Sequence, residues 1–63
     1  MGLNGRVGYI TVEIKANGSP GEVDLPGIGK YVAWSRDSCS LGSEVLVTAE
    51  RSTRAVTVTP TGL

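Results

Sequence analysis

Sixty-three residues bound the chain to one small domain, of a size that buries only about 60% of the surface its unfolded form would expose. Six basic and six acidic residues cancel, which argues against the broad basic face of a general nucleic-acid binder. There is no histidine and a single cysteine, Cys39, so an internal disulfide and an ordinary zinc set are excluded and the commonest general base is missing.

No secretory signal opens the chain, because Met1 to Ile10 carries three glycines and no apolar core. No apolar run approaches the ~20 residues of a membrane-spanning helix. Any membrane contact is therefore expected through segments absent from these residues.

Residues 7–15 read as the first strand, rich in β-branched and aromatic side chains: Val7, Tyr9, Ile10, Thr11, Val12 and Ile14. Alternation places Ile10, Val12 and Ile14 on one face. Gly5 and Gly8 at its start are expected to mark a bend or a close backbone approach. Ala16 to Gly21 is a loop with two turn signals, Asn17-Gly18 and Pro20-Gly21. It reads as a hairpin connection and not a phosphate cradle, since no helix follows to supply an anion site. Gly29-Lys30 fails as a phosphate loop as well, with Asp24 where the pattern needs glycine and Tyr31 where it needs Ser or Thr.

Residues 22–25 alternate polar and apolar and form a short second strand. After the Pro26–Gly29 turn comes a third strand, 31–35, with Tyr31, Ala33 and Ser35 on one face and Val32 and Trp34 on the other. Residues 36–42 are a polar connection too short for an ordinary helix. A fourth strand spans 43–50, Arg51 to Thr53 make a tight turn, and a fifth strand spans 54–59. Pro60 to Leu63 is expected to be a tail, because proline removes a ladder donor. Five short strands with frequent turns point to a small barrel or sandwich, and closing the sheet removes exposed edges.

Several segments together resemble the C-terminal domain of the NfeD-like family. They are Gly5-Arg6-Val7-Gly8, Gly21-Glu22-Val23-Asp24-Leu25, Tyr31-Val32-Ala33-Trp34-Ser35, Gly42 ahead of Val45-Leu46-Val47, and Thr57-Val58-Thr59-Pro60. The resemblance covers nearly the whole chain, and its elements are specific through their order and spacing. It implies an all-β, five-stranded small β-barrel of the OB type, without the inserted helix, as a single domain over 1–63. It also implies a parent protein anchored by upstream membrane helices, with this soluble domain on the cytoplasmic side. Partners would be membrane scaffolds of the stomatin, flotillin or prohibitin-like kind.

If Tyr31 and Ala33 face the barrel interior, as that resemblance implies, Val32 and Trp34 face outward and are the candidate partner-binding residues. Aromatic side chains are enriched at binding hot spots. Trp34 packing on a loop of its own chain is the plainer reading. Cys39 reads as a small hydrophobe plugging the barrel, since no histidine is present to activate a thiol. Ser35, Ser38, Ser40 and Ser43 have only Lys30 as a conceivable base, and the carboxylates are scattered.

No catalytic residue, cofactor or metal ligand is expected. A biotinyl or lipoyl carrier would present a lysine on a hairpin tip, and Lys30, entering a strand, does not match. The expected function is a non-catalytic protein-interaction module. The alternatives are a single-stranded nucleic-acid-binding OB module, with Arg51 and Arg54 in one hairpin as its basic residues, and self-association through an edge strand or the Trp34 patch.

Overall fold

The computed structural model describes residues 2–61. Five strands follow one another: β1 (Val7–Val12), β2 (Gly21–Leu25), β3 (Gly29–Trp34), β4 (Glu44–Ser52) and β5 (Ala55–Pro60). They close into a barrel in the order β1-β2-β3-β5-β4, with β4 returning to β1. Every pairing is antiparallel except that of β3 with β5. The described residues include no helix, so β3 passes to β4 through a bare connection, as expected for the OB-type barrel without its inserted helix.

Strand alternation builds the core. Ile10, Val23, Leu25, Ala33, Val45, Val47, Val56 and Val58 point inward and are buried. Leu3, Ile28 and Tyr31 pack against this cluster. Space inside is tight enough that β1 turns a glycine toward it. A Cβ on Gly8 would lie 2.6 Å from a Val23 methyl and 2.7 Å from a Leu25 methyl. The β1–β2 connection turns at Gly18, with φ of 96°. Beside it the Ser19 N–H donates to the Asn17 side-chain oxygen at 3.0 Å.

Three details depart from the sequence reading. The first strand ends at Val12 and not near Lys15. Ile10 lies opposite Val23 but Val12 lies opposite Glu22, so one extra residue of β1 sits between the two pairs. This bulge turns Val12 outward, where it is 51% exposed, away from the face it was expected to share with Ile10. The chain returns at Ile14, which forms an antiparallel bridge with Cys39. Its N–H donates to the Cys39 carbonyl at 3.0 Å, and the Cys39 N–H to the Ile14 carbonyl at 2.9 Å. The polar 36–42 connection is thereby fastened to the barrel, with both bridge residues buried.

The second departure is in the last hairpin. Ser52 pairs with Ala55, so the turn lies at Thr53–Arg54 and Arg51 belongs to β4. Third, Pro60 is the last residue of β5, opposite Val45, and not part of a tail. The β3–β5 register runs only from Val32–Ala55 to Trp34–Thr57. Past that point β5 is an edge on its β3 side, where a strand tolerates proline.

Candidate functional site

The outer face of β3 is the candidate site. Ala33 is buried completely, and the alternation that buries it sends its neighbours Val32 and Trp34 outward. Val32 is 40% exposed. Trp34 is half-buried, and what covers it is specific: the Arg51 guanidinium sits 4.6 Å from the centre of its ring. That distance is within the range of a cation–π contact, and part of the indole remains exposed.

A second arginine makes a like contact on the opposite face of β3, where Tyr31 sides with Ala33 and packs against the core. Arg54 lies over the Tyr31 ring at 5.6 Å and donates to the Lys30 carbonyl at 3.3 Å. The two arginines of the β4–β5 hairpin are thus both laid over aromatic rings of β3. The sequence reading placed them together in a hairpin but did not bring them to Trp34 and Tyr31. That link depends on the parallel β3–β5 register and on Arg51 being a strand residue, which no local pattern reports.

Neighbours across the sheet complete the face. Glu22 stands opposite Val32 and Asp24 opposite Lys30 on the β2 side, while Ala55 stands opposite Val32 on the β5 side. Thr57, the partner of Trp34, also lines an open groove of about 300 Å³. Ser35, Arg36, Asp37, Thr48 and Thr59 line the same groove, so polar groups border the Trp34 end of the strand.

Ser35 Oγ accepts a hydrogen bond from the Asp37 N–H at 3.1 Å, which makes it a turn residue. Lys30 is five residues away along β3, on the order of 16 Å in an extended strand, too far to serve Ser35 as a base. Among the described residues no group of three or more His, Cys, Asp or Glu side chains could hold a metal ion.

Cys39 is 2% exposed and contacts the Asp37 carbonyl through its Sγ at 3.6 Å. Its place in the core makes it a packing residue. Its thiol is therefore expected to react with a disulfide reagent only as fast as the domain opens. A native rate equal to that in urea would show that the Ile14–Cys39 bridge does not close this end.

The family model described as "NfeD C-terminal domain" matches residues 7–59. Among solved structures, the chain is similar to the soluble domain of the NfeD protein YuaF from Bacillus subtilis, determined in solution. The two share 29% sequence identity with a TM-score of 0.82, over 97% of this chain and 76% of that one. No curated protein matches the chain. Among the described residues no helix is long and apolar enough to cross a membrane.

Proposed function

The chain belongs to the NfeD C-terminal domain family, and from that premise we propose that it is a non-catalytic protein-interaction module. It docks through the outer face of β3, with Val32 and Trp34 at the centre. In this reading it is the soluble domain of a membrane-anchored NfeD-like protein. Its partner is a membrane scaffold of the stomatin, flotillin or prohibitin-like kind.

The observation that supports the site is the state of Trp34. An indole fully inside the barrel would be structural, whereas this one stands on the outer face, partly open and beside exposed Val32. Aromatic anchors bordered by polar groups are the usual make-up of a binding hot spot and its rim.

The test is a titration of the domain with the soluble part of a stomatin-like or flotillin-like scaffold, read by isothermal titration calorimetry. Saturable binding is expected. It should weaken by about tenfold or more in Val32→Asp or Trp34→Ala, the loss typical of removing a hot-spot side chain. Val32 is 40% exposed and Trp34 partly buried, so the urea midpoint of Val32→Asp should move less than that of Trp34→Ala. Binding of undiminished strength in both variants would move the docking surface off β3.

A further inference from the structure

Tyr9 stands at the centre of a different surface, the outer face of β1. It is 44% exposed. β1 lies between β2 and β4, and the register puts Asp24 directly beside Tyr9 on one side and Glu44 on the other. Side chains opposite one another in neighbouring strands share a face, with their Cβ atoms about 5 Å apart. An exposed phenol ring therefore carries a carboxylate on each flank. Along the strand it is bordered by Val7, 40% exposed, and by Val12, which the bulge turns outward.

The other two aromatic rings of the chain show what such a ring accepts. Trp34 holds Arg51, and Tyr31 holds Arg54. Among the described residues no cationic side chain lies over Tyr9, the ring that has carboxylates on both sides. A cation placed there gains from the ring face and from two opposite charges at once. The one basic residue in this row is Lys30, beyond Asp24 and two strands away from Tyr9.

We propose that the outer face of β1 receives an arginine of a partner protein, its guanidinium stacked on Tyr9 between Asp24 and Glu44. Arginine fits better than lysine, because a planar guanidinium both stacks on a ring and forks onto a carboxylate. In an extended partner segment only every second residue faces this surface. An apolar residue two positions from the arginine is therefore the one that meets Val7, itself two positions from Tyr9. β2 separates this surface from Val32 and Trp34, so the proposal stands or falls without the β3 reading.

Polyanions fit poorly here. A nucleic-acid strand or an anionic bilayer would bring negative charge against Asp24 and Glu44, with only Lys30 in the row to offset it. Within a second copy of the chain, Arg51 and Arg54 already lie over rings of their own chain.

The deciding experiment titrates the isotope-labelled chain with a short peptide repeating Leu-Ser-Arg-Ser, which turns leucine and arginine to one side when extended. Counterparts with glutamate or lysine in place of arginine are the controls. The arginine peptide is expected to shift the signals of Tyr9, Asp24 and Glu44 saturably and to bind more tightly than the lysine peptide, with affinity falling as salt rises. Affinity should drop by about tenfold or more in the Asp24→Asn, Glu44→Gln double variant, which keeps both side-chain shapes and removes both charges. Tyr9→Leu, which removes the ring, should cost about as much.

An equal response to the glutamate peptide would overturn the proposal, as would an affinity unchanged in both variants. An equal response to the lysine peptide would overturn the choice of arginine. Shifts at Val32 and Trp34 that Tyr9→Leu leaves intact would overturn the β1 site and place the cation on β3. No shift at Tyr9 with any peptide would overturn it and leave the β3 reading untouched. Shifts that follow the concentration of the chain alone would assign the face to a second copy. Should Tyr9→Leu unfold, the double variant and the reversal of charge on the probe still decide the outcome.

Discussion

Replacing Gly21 with alanine is expected to remove about 3 kcal/mol of stability or more, at the upper end of what overpacking costs. The reason is space and not backbone angle, since Gly21 is absent from the positive-φ glycines. A Cβ there would collide with the Val12 carbonyl oxygen. It would also approach the Glu13 carbonyl oxygen and the Ile14 Cγ1, each to 2.7 Å. Carbonyl oxygens of the neighbouring strand cannot rotate away as a flexible side chain would, so β1 and β2 must part.

At about 0.05–0.15 kcal/mol per residue, a chain of this length has roughly 3–9 kcal/mol in all. The substitution is thus expected to remove about a third or more of the chain's whole stability. Gly18→Ala is the comparison. It has nothing within 4 Å and a φ of 96°, so it should cost only the left-handed conformation, about 1–2 kcal/mol. Urea denaturation of the two variants measures both, and a Gly21→Ala loss no greater than that of Gly18→Ala would show that the barrel wall yields there.

Truncating Ile14 to alanine is expected to cost about 2–5 kcal/mol, the range for a large aliphatic group removed from a packed core. Ile14 is completely buried although it lies beyond the end of β1. Its backbone bridge to Cys39 is what ties the 36–42 connection to the barrel. Amide exchange at Cys39 should therefore quicken beyond what the fall in global stability explains. Ile14→Val, which removes one methylene, should cost only about 0.5–1.5 kcal/mol. A loss below 1 kcal/mol for alanine would mean that other side chains close this end.

The strands themselves were legible because alternation survives in four of them. Val23 and Leu25, Val45 and Val47, Val56 and Val58, and Ala33 between Val32 and Trp34 all fall on the faces that period two assigns. Alternation failed in β1 and again in β4 beyond Val47, where bulges interrupt it. Val12 has the same side-chain character as a core valine, and only the pairing with Glu22 shows that it faces out. Residue patterns alone left barrel and sandwich both open. The closed order followed from the resemblance to a family, since a parallel pairing between β3 and β5 links residues more than twenty positions apart and has no local signature.

The candidate site was legible in part. Alternation put Val32 and Trp34 together on one face, and the resemblance to the family made that face the outer one. The arginines were visible only as members of a hairpin, because their partners are set by register across the barrel. A two-residue error in the placement of the last turn separated Arg51 from the strand that carries it to Trp34.

The placement of β5 between β3 and β4 has a consequence for synthesis. The strand that seals the cylinder is the last of the five to be made. Until residue 60 has cleared the ribosomal tunnel, β3 and β4 each present an unpaired edge, and the aromatic rings that the arginines later cover lie open beside one of them. A nascent chain in this state can join the first four strands but cannot close, and long-range pairing of this kind is slow. A pause in translation after the fourth strand would therefore hold the chain in its most adhesive form. Stop codons that cut between Ser52 and Ala55 would make that form permanent.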